Sequence, residues 1–237
     1  MIVPGIYKYY FIKSQIMAKE LKAVIFDLDG VIADTARFHY QAWKKLASGI
    51  GINLTYEFNE KLKGVGRMES LDLMLTLASK NYSNEEKMEL ANRKNRYYLE
   101  FINRMTPSDL LPGVIECFEV LKDNNIKIVL ASASKNYLYV IKRLEIEKYF
   151  DYIVSGKDIS KSKPDPEIFI KAAEGIKAAT YNCAGVEDSI AGILAINACN
   201  MFSIGIGDKE DLYNADICLE NLTEFNLEEI CLIGGFL

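Results

Sequence analysis

The sequence predicts an α/β fold, a parallel-sheet core with a helical cap domain inserted into its first crossover, and two observations carry that reading. Short β-branched runs alternate along the chain with longer stretches of helical periodicity, which is the signature of βαβ units. Between the first run and the second lie about a hundred residues, whereas one crossover needs roughly 10–12. At 237 residues, 50% of them hydrophobic and 26% charged, the chain is long enough to bury a full core and a smaller second domain.

Residues 1–17 form an extension of doubtful role, apolar and aromatic at Ile6, Tyr7, Tyr9, Tyr10, Phe11 and Ile12. Lys8 and Lys13 interrupt it and no small-residue cleavage site follows, so it does not read as a secretory leader. A misplaced start ahead of Met17, or a dispensable extension, is expected instead. Strands are expected at 23–26, 128–130, 153–154, 183–186 and 202–206. The interval after the first strand reads as helices at 36–47, 70–79 and 83–104. The last is opened by Ser83 with Glu86 three residues on, a capping box. Pro107 and Pro112 mark the return to the core. The expected division is therefore a catalytic core at 18–33 and 107–237, with a cap at 34–106. Trp43 is expected in the cap core.

With 28 basic and 33 acidic residues, a net charge of -5, the chain lacks the basic footprint of a nucleic-acid binder, and it has no run of roughly 18 apolar residues to span a membrane. Five cysteines without a CxxC pair suit reduced thiols in the cytoplasm. An anionic ligand would need positive charge supplied locally.

In an open, Rossmann-like sheet, ligands bind outside the carboxyl ends of the strands. Four such ends are polar: Asp27-Leu28-Asp29-Gly30, Ser132-Ala133-Ser134, the Lys163-Pro164 segment, and Glu187-Asp188. Two acidic pairs converging on one edge repel unless a cation lies between them, which points to a hard divalent metal. Asp27 and Asp29, two apart, can both face one ligand. One carboxylate can attack phosphorus while the other moves a proton on the sugar hydroxyl. Taken alone, DxDG reads equally as a turn or a partial calcium loop, and its place directly after AVIF favours the strand-end site. Glu187 and Asp188 would complete the oxygen ligands of Mg²⁺, although Asp before Ser189 also reads as a helix cap. Ser132 offers a hydroxyl and neighbouring N–H groups to a phosphoryl oxygen, or a simple N-cap. Lys163, in the stiff SKPDP segment, is uninformative by itself.

The order FDLDGV, a Ser at the second strand end, SKPDP and GVEDS resembles the four motifs of the haloacid dehalogenase superfamily. The segments DLDGVIADTARFH, LKGVGR, RKN and LASASKN resemble, within it, the β-phosphoglucomutase family. Together they cover the chain from Lys22 to about Gly207. The resemblance implies that Asp27 is the nucleophile and Asp29 the general acid and base, with Mg²⁺ held by Asp27, the Asp29 carbonyl, Glu187 and Asp188. It implies that Ser132, Ala133 and Lys163 hold the transferring phosphoryl group. Arg67 with Ser134, Lys135 and Asn136 would hold the other phosphate, with Gly64 nearby in LKGVGR. Thr35, His39 and Lys94 are assigned to cap closure over Asp29. Gly66 stands where the family often has a hydroxyl residue, which would loosen the loop or remove a hydrogen bond.

The implied activity is a magnesium-dependent isomerisation of β-glucose 1-phosphate to glucose 6-phosphate through an aspartyl-phosphate and the 1,6-bisphosphate. The expected ligands are small sugar phosphates, with no nucleic acid or membrane, and the expected state is a monomer. A phosphatase on the same core is the nearest rival, and Arg67 with the Ser-Lys-Asn triplet argues for a second phosphate site. A dehalogenase has no use for Asp29 as an acid, and a purely sugar-phosphate-binding module has no use for both aspartates with a metal pair.

Overall fold

The computed structural model describes residues 19–63 and 65–236. Among these the sheet has six strands: β1 (Ala23–Phe26), β2 (Lys127–Ser132), β3 (Tyr152–Ser155), β4 (Cys183–Glu187), β5 (Phe202–Ile206) and β6 (Ile217–Leu219). They lie in the order β3-β2-β1-β4-β5-β6, and every pairing is parallel. The chain winds outward from β1 to β3, then returns to β4 beside β1 and winds the other way. The crevice between the ends of β1 and β4 is therefore the topological switch point, where a ligand site is expected.

The run AVIF is apolar at every position because both faces of its strand are covered. Val24 and Phe26 belong to one apolar layer, Ala23 and Ile25 to the other, as the two-residue period of a strand requires. The first layer is covered by α5 (Val114–Asp123), α6 (Tyr137–Arg143) and α9 (Leu227–Gly234), and the second by α7 (Glu167–Gly175) and α8 (Ile190–Ala198). Phe118 of α5 meets Phe26 edge-on at 5.2 Å, and truncating so buried a ring to alanine would cost roughly 3–5 kcal/mol.

Four helices fill the interval between β1 and β2: α1 (Ala36–Ser48), α2 (Tyr56–Glu60), α3 (Arg67–Leu75) and α4 (Asn84–Ile102). They have an apolar cluster of their own, built on Trp43, Leu46, Leu71, Met74 and Leu90. The capping box opens α4 as the sequence indicates, with the Ser83 N–H donating to Glu86 and the Glu86 N–H to the Ser83 hydroxyl. The two connections to the core run side by side, because Ala33 bridges both Asp29 and Leu110 and the Leu111 N–H donates to the Ile32 carbonyl at 3.0 Å.

Three differences from the sequence reading have physical causes. The helix expected at 70–79 starts earlier, at Arg67, because the Glu69 carboxylate accepts the Gly66 N–H and caps the first turn. The five-residue α2 is set by Thr55, whose hydroxyl accepts the Phe58 N–H. The three-residue edge strand β6 has little apolar signal of its own; Asp216 anchors it by accepting from the N–H and hydroxyl of Ser203. Among the described residues no helix is long and apolar enough to cross a membrane. Residues 1–18, which include the extension expected at 1–17, and Gly64 and Leu237 lie outside the described residues, the first of which, Lys19, donates from Nζ to the Gly234 carbonyl.

Candidate active site

The ends of β1 and β4 carry the acidic residues, and a buried lysine links them. The Asp27 N–H continues the ladder to the Val186 carbonyl at 3.0 Å, which holds its side chain at the strand tip. Asp27 Oδ1 accepts from Lys163 Nζ at 2.6 Å, and Oδ2 accepts from the Asp29 N–H at 2.9 Å. Lys163, its side chain fully buried, also donates to Glu187 Oε1. The second Glu187 oxygen accepts from the N–H and hydroxyl of Ser189 at 3.0 and 2.8 Å. Ser189 in turn caps α8 by accepting the Gly192 N–H, so the helix-cap reading holds for Ser189 alongside the acidic pair.

Burial pushes the Asp27 carboxyl well above the usual range, Lys163 pulls it back, and Glu187 and Asp29 push it up again. Asp29 is also raised by burial, against the opposing pull of the Thr35 hydroxyl and the Lys94 ammonium. Thr35, itself buried, donates to Asp29 Oδ1. The chain turns after Asp29 at Gly30, whose φ of +90° is left-handed. A Cβ there would lie 2.1 Å from Asp188 Oδ2, so glycine is required both by conformation and by the closeness of the two acidic loops.

The loop after β2 is built to present donors. The Ser132 hydroxyl accepts the Ser134 N–H at 3.1 Å and the Ser134 hydroxyl accepts the Asn136 N–H at 3.2 Å, two nested turns that lead into α6. Ala133, Ser134 and Lys135 face a cavity of about 520 Å³.

Across that cavity the cap supplies cations. Arg67, the first residue of α3, donates from Nη2 to the Asn95 side-chain carbonyl at 2.8 Å, and its charge is offset by no carboxylate among the described residues. Lys94 Nζ lies 2.8 Å from His39 Nδ1, over the faces of Trp43 and Tyr98 at 4.7 and 5.1 Å. Burial, with Arg67 nearby, pushes the Lys94 ammonium down to about 7. Burial and then Lys94 hold His39 well below the usual imidazole value. Its Nε2 lies 3.7 Å from Asp29 Oδ1 and has no hydrogen-bond partner. Lys63 stands 3.6 Å from Asp188, whose carboxyl is pushed up to about 7 by burial and then by Glu187.

The expected residues therefore divide by depth. Asp27, Asp29, His39, Arg67, Lys94, Ala133, Ser134, Lys135 and Asp188 line the cavity. Ser132, Lys163 and Glu187 lie buried beneath it, with Thr35 behind Asp29. Asn136 is reached through Asn95. Trp43 has the expected place in the cap core and also lines the cavity. The Gly66 N–H donates to Glu69 and to the Ser162 hydroxyl of the core, and a Cβ at Gly66 would lie 2.7 Å from that hydroxyl oxygen. The sequence reading missed Lys63, Asn95 and Ser162. All three sit inside quoted segments, LKGVGR, RKN and SKPDP, and the signal was the charge and hydrogen-bonding demand of their expected neighbours.

Among the described residues no group of three or more acidic, histidine or cysteine side chains closes on one point so as to hold a metal ion. Lys163 bridges Asp27 and Glu187, and both Glu187 oxygens are engaged. The donor set nevertheless suits a hard divalent cation. It is all oxygen, it concentrates four carboxyls at one sheet edge, and burial and mutual repulsion raise Asp27, Asp29 and Asp188.

Residues 21–200 match the family model of the haloacid dehalogenase-like hydrolases. The chain is 45% identical over 210 residues to the β-phosphoglucomutase of Bacillus subtilis, covering 88% of this chain and 93% of that one. It is 30% identical to a phosphorylated carbohydrates phosphatase of Thermotoga maritima, over 76% and 82% of the two chains. The crystal structure of a β-phosphoglucomutase from Clostridium difficile superposes with a TM-score of 0.87 at 46% identity, covering 90% of this chain and 97% of that one. With a parallel α/β core, an inserted helical cap and the strand-end acids in place, the chain belongs to the haloacid dehalogenase-like family, in which it resembles the β-phosphoglucomutases.

Proposed function

We propose that the protein is a β-phosphoglucomutase, an isomerase that interconverts β-D-glucose 1-phosphate and glucose 6-phosphate. The observation that carries this reading is the polarity of the cavity. One end holds a nucleophile-and-acid pair of carboxylates, and the other holds Arg67, a guanidinium matched to no carboxylate among the described residues, beside the Ser134-Lys135 loop. A hydrolase acting on one phosphate needs only the first end.

An Asp27 oxygen attacks one phosphorus of the 1,6-bisphosphate, and the sugar oxygen leaves with the proton of the Asp29 carboxyl. Once the product monophosphate is replaced by β-glucose 1-phosphate, Asp29 as carboxylate takes the proton of the sugar 6-hydroxyl while phosphorus moves from Asp27 to that oxygen, and the resulting 1,6-bisphosphate turns round before Asp27 attacks its other phosphorus. Burial above the usual carboxylate range suits Asp29 to holding that proton. Lys163 beside Asp27 steadies charge on the attacking carboxylate and on the transferring group, which Ser132 and the Ala133 N–H also meet. Ser134, Lys135, Asn136 and Arg67, with Gly64 of the LKGVGR segment, hold the second phosphate. Mg²⁺, held by Asp27, the Asp29 carbonyl, Glu187 and Asp188, would offset carboxylate–phosphate repulsion.

Residues 34–106 act as a lid on the paired connections, with Thr35, His39 and Lys94 relaying closure to Asp29 and the Gly66–Ser162 contact holding it shut. Water is then excluded from phospho-Asp27. The protein works as a monomer, so that the lid swings freely, and its five free cysteines fit the reducing cytoplasm.

The relative from Thermotoga maritima makes a sugar-phosphate phosphatase the alternative. The two separate in one assay: protein, Mg²⁺, β-glucose 1-phosphate and a trace of the 1,6-bisphosphate, following glucose 6-phosphate and free phosphate together, with Asp27→Asn as control. Glucose 6-phosphate with little free phosphate is expected; dominant free phosphate would convert the assignment to a phosphatase.

A further inference from the structure

Asn95 of α4 makes an arrangement that none of the expected roles covers. Its side-chain carbonyl accepts two hydrogen bonds, from Arg67 Nη2 and from Asn136 Nδ2, each 2.8 Å long. Arg67 opens α3 in the cap, and Asn136 stands just ahead of α6 in the core without capping it. One amide oxygen thus joins two cap helices to the core loop that begins Ser134-Lys135. Arg67 lines the cavity, as do Ser134 and Lys135, whereas Asn95 stands behind them.

We propose that Asn95 is a positioning residue that registers Arg67 against the Ser134-Lys135-Asn136 loop, and that its neutrality leaves the guanidinium charge free to bind phosphate. This rests on the reading of that end of the cavity as the second phosphate site. An acceptor is needed because Arg67 is half-buried and a guanidinium so placed without one is costly and disordered. A carboxylate would accept the same two bonds, but it would pair with Arg67 and cancel the charge that recruits the anion. An amide oxygen fixes the fork without neutralising it. Because the two donors come from cap and core, the arrangement also assembles only when the lid and core meet.

The test compares Asn95→Ala and Asn95→Asp with the unaltered protein in three readouts. These are KM and kcat for the mutase reaction, turnover of acetyl phosphate as a one-phosphate donor to Asp27, and direct binding of glucose 1,6-bisphosphate in an Asp27→Asn background. Asn95→Ala is expected to raise the bisphosphate KM and Kd about tenfold, the worth of one positioning hydrogen bond, with kcat and acetyl phosphate turnover within about twofold. Asn95→Asp should weaken binding further, about a hundredfold, and recover towards the Ala level as the new carboxyl is protonated at low pH. A purely structural role gives no such recovery. Equal effects of Ala and Asp at every pH, unchanged bisphosphate binding in both, or a parallel loss of acetyl phosphate turnover would overturn the proposal. If the unaltered protein binds the bisphosphate but forms no glucose 6-phosphate, the mutase reading fails while the role of Asn95 is decided by the binding series. If it does not bind the bisphosphate, both fail.

Discussion

The two ends of the cavity handle charge in opposite ways. At the core end, carboxylates meet lysines within the protein: Lys163 lies buried between Asp27 and Glu187, and Asp188 faces Lys63. At the cap end, Arg67 is held by the neutral Asn95 amide, whereas Lys94, which contacts His39 and the faces of Trp43 and Tyr98, also feels the Asp29 carboxyl. A buried charge without a counter-charge is expensive, so it persists where a ligand supplies the balance. The core end is thus organised for bond making, with groups that trade protons and a phosphoryl group. The cap end is organised for capture.

That contrast can be broken at either end. Replacing Asp27 by Asn should lower mutase turnover on the order of 10⁴-fold or more and leave no labelled phosphate on the protein after incubation with a donor. A labelled phosphoenzyme from that variant would move the nucleophile elsewhere. Lys163→Met strands two buried carboxylates, and the metal-free protein should lose about 3–5 kcal/mol of stability in denaturant titration. A loss below about 1 kcal/mol would mean that the lysine is not the counter-charge that the core end requires. Arg67→Gln, by contrast, should leave stability and acetyl phosphate turnover intact and weaken bisphosphate binding about a hundredfold, as for a lost charge-assisted contact. Equal loss with the one-phosphate donor would erase the distinction between the two ends.

Smaller effects sharpen it. Burial and then Glu187 push the Asp188 carboxyl up to about 7, so below that pH a cation must displace its proton. The affinity for Mg²⁺, measured by calorimetry, should fall about fivefold from pH 7 to pH 6 and level off above pH 7.5. Without metal the sign reverses for stability: the folded Asp188 binds a proton that the unfolded one, near 3.9, does not, so stability falls as pH rises between those values. Least affected should be Gly66→Ser, whose Cβ must shift from the Ser162 hydroxyl and loosen the lid, raising KM about fivefold. A lowered KM would show that the missing hydroxyl, not the close approach, matters.

The central strands were legible because a parallel strand covered on both faces is an unbroken apolar run, and AVIF is one. The long interval after it announced the inserted helices, and Ser83 with Glu86 announced the start of α4. β6 was not legible, because three half-buried residues at a sheet edge carry too little pattern and depend on Asp216 reaching Ser203. Site residues at the strand ends could be read from position, whereas Lys63, Asn95 and Ser162 could not. Their partners are Asp188, Asn136 and Gly66, 125, 41 and 96 positions away, and no local spacing encodes such a pairing.

By itself the sequence determined the class of fold, the acids at the strand tips and the family to which they belong, because periodicity and strand-end position are local properties. Only the tertiary structure decided which charges are balanced. That Lys163 sits between Asp27 and Glu187, that Arg67 is left with an amide, and that the Gly66 N–H meets the Ser162 hydroxyl all follow from burial and distance between segments far apart in the chain. Electrostatic balance in a buried site is a property of that three-dimensional neighbourhood.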